Sequence, residues 1–115
     1  MDERFFEKFI PHLGFSYISK QQSNNSNVLK FVGGLDLGVL YQQFYIVVFL
    51  NQEKITLEEM LFVRNEMSKN IDKGLIIANA IITREAKKNS RKKNEVPIDF
   101  IDYNELKKRT NEFEH

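Results

Sequence analysis

Two carboxylates and one row of cations are the side chains in this sequence whose types and spacing could do chemistry. Asp36 follows the glycine pair Gly33-Gly34 and reads either as a ligand for a hard cation or as a turn residue. Alone it offers such a cation too few oxygens. Glu7 is the second carboxylate of interest, either a further metal ligand or a solvent-facing residue near a helix start, where negative charge is favourable. Arg84, Lys87, Lys88 and Arg91, followed by Lys92 and Lys93, form the cationic row. On one helix the first four share a face at i, i+3, i+4 and i+7. Such a row can hold phosphates by charge without reading bases, or it can be a solvated helix face. His12 and His115 have no partner at ligand spacing, and His115 reads as a frayed terminus. There is no Ser/His/Asp elbow, and the glycine pair lacks the GxGxxG spacing of a phosphate cradle.

Composition narrows the setting for that chemistry. A chain of 115 residues with 42% apolar and 29% charged residues predicts one globular domain over residues 1–115. Ten Phe and four Tyr supply much of the core, since each large ring buries about 150–250 Å². Absence of cysteine removes disulfides and thiolate metal sites, and fits a reducing, cytoplasmic compartment. The start MDERFFEKF is charged from its second residue, unlike a secretory leader. The longest apolar run, residues 44–50, is far below the roughly 18 residues of a membrane span, so no membrane partner is expected. Net charge is only +1, so any attraction to nucleic acid must come from a local patch and be modest and salt-sensitive.

The elements that must position these residues follow from periodicity. Residues 2–13 put Phe5, Phe6, Phe9, Ile10 and Leu13 at helical spacing, with Pro11 near the end and Gly14 as a stop. Residues 15–19 alternate as a half-buried strand, and 21–27 (QQSNNSN) read as an exposed loop. Apolar segments 28–32 and 35–40 flank the glycine pair, which suggests a bulge or bend. Residues 42–50 form a strand covered on both faces, paired with the preceding one as an antiparallel hairpin. Thr56 and Glu59 make a capping-box signature for a helix to about residue 70. A buried strand over 73–80, a basic helix from Thr83 to about residue 93, a strand over 97–101 and a helix over 103–113 complete the chain. The first half calls for antiparallel neighbours, and the second for a parallel pair.

That order, with its local sequence, resembles the Mrr-like branch of the PD-(D/E)XK restriction-endonuclease superfamily over most of the chain. Phe6-Glu7 and then Leu13-Gly14-Phe15 are similar to the family's opening helix. Gly33-Gly34-Leu35-Asp36-Leu37-Gly38 is similar to the Gly-Gly-Ile-Asp-Gly segment that carries its metal-binding aspartate. Residues 73–77, Thr83 and Ala86 resemble its strand-then-helix segment. Pro97-Ile98-Asp99-Phe100-Ile101-Asp102 with Glu105-Leu106 resembles its closing strand and helix, the most specific of the four pieces.

The resemblance implies phosphodiester hydrolysis, which requires a divalent cation held by carboxylates, an activated water and positive charge near the developing oxyanion. In the family, an Asp on one hairpin strand binds the metal. A Glu or Gln two residues before a Lys on the next strand completes the centre on the same sheet face. Here Val47 stands where Gln or Glu belongs, and Phe49 where Lys belongs. Lys30 lies six residues from Asp36, about 20 Å along an extended strand. Lys54 falls past the strand, and Lys8, beside Glu7, follows no spacing rule.

The sequence therefore predicts an α/β protein: a three-layer-like sandwich with a central mixed sheet flanked by helices, restriction-endonuclease-like, with a degenerate centre. The expected role is DNA association or regulation through Arg84, Lys87, Lys88 and Arg91, with no cofactor. One rival is an active nuclease with Glu7 and Asp36 holding Mg²⁺ and a migrated lysine assisting. The other is a protein-interaction subunit, dimeric through apolar surface.

Overall fold

The computed structural model describes residues 1–114, and His115 lies outside them. Helix α1 spans Glu3–Phe9 and is capped by Asp2, whose carboxylate accepts from the Phe5 amide at 2.9 Å. The sequence predicts helix through residue 13, but Ile10–Leu13 is a 3-10 turn. Pro11 lacks the amide that the α ladder would need, and Gly14 at φ 100 ends the turn in the left-handed region.

Strands β1 (Tyr17–Gln21), β2 (Val28–Asp36) and β3 (Tyr41–Phe49) form an antiparallel meander. β2 runs unbroken through the glycine pair, so the bulge that the sequence suggests is absent: Gly33 pairs with Phe44 and Gly34 with Gln43 in register. The glycines answer a different need. A Cβ on Gly33 would lie 3.0 Å from the Phe15 ring, and one on Gly34 would collide with the rings of Tyr17 and Tyr41. β2 also stops at Asp36, and residues 37–40 turn instead of extending the strand.

After β3 come β4 (Lys54–Ile55), α2 (Leu57–Glu66), β5 (Lys73–Ala78), β6 (Ile81–Ile82), α3 (Arg84–Asn89), β7 (Ile98–Ile101) and α4 (Tyr103–Glu114). Thr56 and Glu59 close the capping box that begins α2. That helix ends at Glu66, short of residue 70, because Met67 turns to extended backbone. β4 and β6 pair in parallel as a small second sheet.

The main sheet has the order β1-β2-β3-β5-β7, antiparallel across its first three strands and parallel from β3 to β5 to β7. The switch follows from connection length, since β2 and β3 are joined by a short turn and β3, β5 and β7 by helices. Alternate residues of each strand feed two separate cores. One face, with Phe31, Ile46, Val48, Leu75 and Ile77, packs against Phe6, Phe9 and Ile10 before β1 and Leu106 of α4. The other, with Val28, Tyr45, Val47, Phe49 and Ile76, packs against Met60 and Val63 of α2 and Ala86 of α3. The chain is thus a three-layer α/β sandwich around a mixed five-stranded sheet, with four helices among the described residues. No helix among the described residues is long and apolar enough to cross a membrane.

Candidate nucleic-acid interface

Strand register decides what the hairpin can do. Asp36 pairs with Tyr41 and Lys30 with Val47. Even-numbered β2 residues and odd-numbered β3 residues share the face under α2, so Asp36 and Val47 do lie on the same side of the sheet. They are nonetheless six strand positions apart, about 20 Å at roughly 3.3 Å per residue. Val47 is fully buried and Phe49 nearly so, both in the core beneath α2. Neither position has a metal-binding atom, and Asp36 could not reach them.

Asp36 has a local task instead. Its carboxylate accepts from the Gly38 amide at 3.0 Å, and the Leu37 amide donates to the Leu40 carbonyl at 2.8 Å. Gly38 takes φ 89, which only glycine adopts easily. Asp36 is the residue that ties the β2–β3 turn.

Glu7 does not join it. Lys20 of β1 holds Glu7 at 2.6 Å and Glu3 at 3.1 Å. Those two carboxylates, Glu7 first, hold the Lys20 ammonium above the usual lysine range. The Lys20 partner in β2 is Phe31, on the α1 face and five positions from Asp36. Glu7 and Asp36 therefore sit on opposite faces of the sheet, and the expected shared Mg²⁺ site is not formed. Among the described residues, no group of three or more His, Cys, Asp or Glu side chains is arranged to hold a metal ion.

Opposite Val47 stands a different polar cluster. Lys30 Nζ donates to Glu66 at 2.6 Å, and the Tyr45 hydroxyl donates to the other oxygen of that carboxylate at 2.9 Å. Burial, then the bond to Glu66, pushes the Tyr45 phenol well above the usual tyrosine range. Lys30 also lies 5.4 Å over the Phe62 ring. The cluster fastens α2 to the sheet beside Val47. Its single carboxylate is already satisfied by two donors.

The cationic row is only partly helical. Thr83 caps α3 by accepting from the Ala86 amide at 3.2 Å, as its sequence predicts. The helix ends at Asn89, not near residue 93, so Arg91 leaves the shared face that i, i+7 spacing would give it. Arg91 turns instead to Asp99 of β7, which also holds Lys73 at 2.7 Å. Arg84, Lys87 and Lys88 are exposed and make no ion pair among the described residues.

Arg64 explains why this segment has a fixed place. Its side chain is 13% exposed, and its guanidinium donates to the carbonyls of Val96 at 2.6 Å and of Asn89 and Ser90 at 3.3 Å. Glu95 lies 3.3 Å away. The end of α3 and the loop to β7 are thereby fastened to α2. An arginine among the apolar positions of α2 is the signal in the sequence that could have pointed to this role.

Lys87 and Arg91 also line a cleft of about 650 Å³, whose other walls include Phe15, Leu35, Phe44 and Leu75. Leu35 of β2 and Phe44 of β3 thus border one cleft with the cationic segment, and Asp99, Asp102 and Glu105 line it too. No family model matches this chain, and no curated protein or solved structure matches it.

Proposed function

We propose that this chain is a restriction-endonuclease-like scaffold, akin to the Mrr-like branch, that associates with DNA without cutting it. The order of helices and the change from antiparallel to parallel strands agree with that family, as do its closing motif and the Thr83–Ala86 helix start. The fold itself does not fix the activity.

The observation that carries DNA association is the charge of residues 84–93. They hold six Lys and Arg and one Glu, while the whole chain is only +1. Three of those cations, Arg84, Lys87 and Lys88, are exposed with no carboxylate holding them among the described residues. Arg64 fixes the segment against α2, so less order must be imposed on binding. Cations of this kind bind duplex DNA by displacing condensed counterions, which gives affinity without base readout.

Cleavage is not part of this reading, because the residues present do not fit a divalent cation. Val47 and Phe49 are core, Asp36 is engaged in its turn, and Glu7 faces the other side. The rival reading of a protein-interaction subunit draws on the apolar tip of the β2–β3 turn. Fluorescence anisotropy with a labelled duplex of about 20 base pairs, run beside plasmid nicking in Mg²⁺ or Mn²⁺, tests the proposal. Binding that weakens on neutralising Arg84, Lys87 and Lys88, with no nicking, is the expected outcome. Nicking by the purified chain, or no binding at low salt, would refute it.

A further inference from the structure

We propose that the cleft beside β7 takes up an extended peptide segment of a partner protein, which joins the main sheet as a sixth strand. The proposal does not rest on DNA association.

β7 is an edge strand, with β5 on one side and no strand on the other. Two backbone bonds fix which of its groups face outward. The Pro97 carbonyl accepts from the Gly74 amide of β5 at 2.9 Å, and the Ile98 amide turns the other way to donate to the Ser90 carbonyl at 3.0 Å. Backbone groups alternate between the two sides of a strand, so Asp99 and Ile101 bond to β5. Phe100 therefore points both its amide and its carbonyl outward, beside the outward carbonyl of Ile98. No backbone group of the described residues pairs with any of these three. The opposite edge strand, β1, is exposed along four of its five residues and carries Lys20, a charge of the kind that protects sheet edges.

β7 differs in that a cleft runs over it. Ile98, Asp99, Phe100 and Ile101 all line the cavity of about 650 Å³, a size within the range of about 300–1,000 Å³ usual for ligand sites. Arg64 binds the Ser90 carbonyl from α2, so the segment that borders the edge is fixed before anything enters.

The chemistry of the cleft selects a peptide. Asp99, Asp102 and Glu105 line it and disfavour a polyanion, and Arg91 and Arg109 are already held by Asp99 and Glu105. A peptide backbone is neutral and presents donors and acceptors at the repeat of the edge itself. In antiparallel pairing one peptide residue exchanges both bonds with Phe100, and the residue two positions further on donates to the Ile98 carbonyl. Alternate peptide side chains then share one face of the sheet. Toward Leu75, Phe44 and Phe15, which form the apolar part of the cleft, that face calls for a large apolar residue.

The test pans a phage-displayed library of short random peptides on the full chain. The retained peptide is then synthesised, and its binding is measured by fluorescence anisotropy while N-methylation is scanned along it. Binding should fall about 10-fold at every second amide and change little at those between, because only alternate amides face β7. Phe100→Pro removes the outward amide without touching the β5 ladder and should weaken binding as strongly. Phe100→Leu keeps the amide and should bind nearly as the wild type does. The proposal is overturned if no peptide is retained, if methylation acts alike at all positions, or if a folded Phe100→Pro chain binds unchanged. Should Phe100→Pro fail to fold, the methylation scan decides alone. A dimer of the chain by itself in sedimentation, split by a folded Phe100→Pro variant, would make β7 a contact between copies and also overturn it.

Discussion

Val47 pairs across the β2–β3 hairpin with Lys30, not with Asp36. That single register relation separates the motif aspartate from the strand positions it would have to serve. Lys30 is in turn drawn to Glu66 of α2, which Tyr45 also binds. A buried valine thus faces a lysine that is already neutralised.

Placing the residues of the resembled family at these positions should not create a centre. Val47→Gln with Phe49→Lys would bury an amide and an ammonium in the core beneath α2 with no partners provided. We expect a loss of about 3 kcal/mol or more, read by urea denaturation, and no plasmid nicking with Mg²⁺. Retained stability together with metal-dependent nicking would mean that the region under α2 is more open than its packing implies.

Arg64→Ala should loosen the cationic segment. The substitution removes the Arg64 donor from the carbonyls of Asn89 and Val96 and leaves that of Ser90 with the Ile98 amide alone, and a hydrogen bond to a charged group contributes about 1.5–3 kcal/mol. A melting point lower by roughly 10 °C and faster amide exchange over residues 89–98 are expected. Arg64→Lys should recover little, because an ammonium cannot span three carbonyls as the planar guanidinium does. Unchanged exchange in that segment would mean that the loop holds itself.

Gly34→Ala should cost about 1–3 kcal/mol by overpacking, since the new methyl meets the Tyr17 and Tyr41 rings. Adding Tyr41→Ala to the same chain should return part of that loss in a double-mutant cycle. A neutral Gly34→Ala would show that the rings can move aside.

How much of this was legible in the sequence differs by kind of feature. The order of the helices and of the five main-sheet strands and the antiparallel-to-parallel switch could be read, because hydrophobic periodicity and linker length dictate them; the two-residue strands β4 and β6 are too short to show a period, and β5 ends at Ala78 instead of residue 80. The capping residues Thr56 and Thr83 could be read for the same local reason. The glycine pair misled, since a strand interrupted by glycine and a strand crowded by aromatic rings look alike until Phe15, Tyr17 and Tyr41 are in place. Asp36 misled in a related way. A Gly-Gly-x-Asp string carries no register, and the partner of Asp36 depends on where the chain turns. The end of α3 at Asn89 depended on Arg64, 25 residues earlier, which collects the terminal carbonyls; no local pattern encodes that contact.

Alkali should weaken the fold through Tyr45. Its folded-state pKa is raised by burial and by Glu66, so the unfolded chain releases this proton first as pH rises. The stability it contributes is whole below the ordinary tyrosine value of about 10 and is lost progressively above it. Lys20, raised by Glu7 and Glu3, acts in the same direction. Denaturation midpoints should fall above about pH 10, and Tyr45→Phe should flatten that fall without abolishing it. An identical slope in the variant would remove Tyr45 as a cause.

The most direct test of the central claim is the slope of log K against log salt for duplex DNA, measured for the wild type and for Arg84→Ala/Lys87→Ala/Lys88→Ala. If these three cations each neutralise a phosphate, the variant's slope should be shallower by about 2.7, with weaker binding at every salt concentration. An unchanged slope would show that DNA, if bound, lies elsewhere on the molecule and would contradict the assignment of residues 84–93 as its contact.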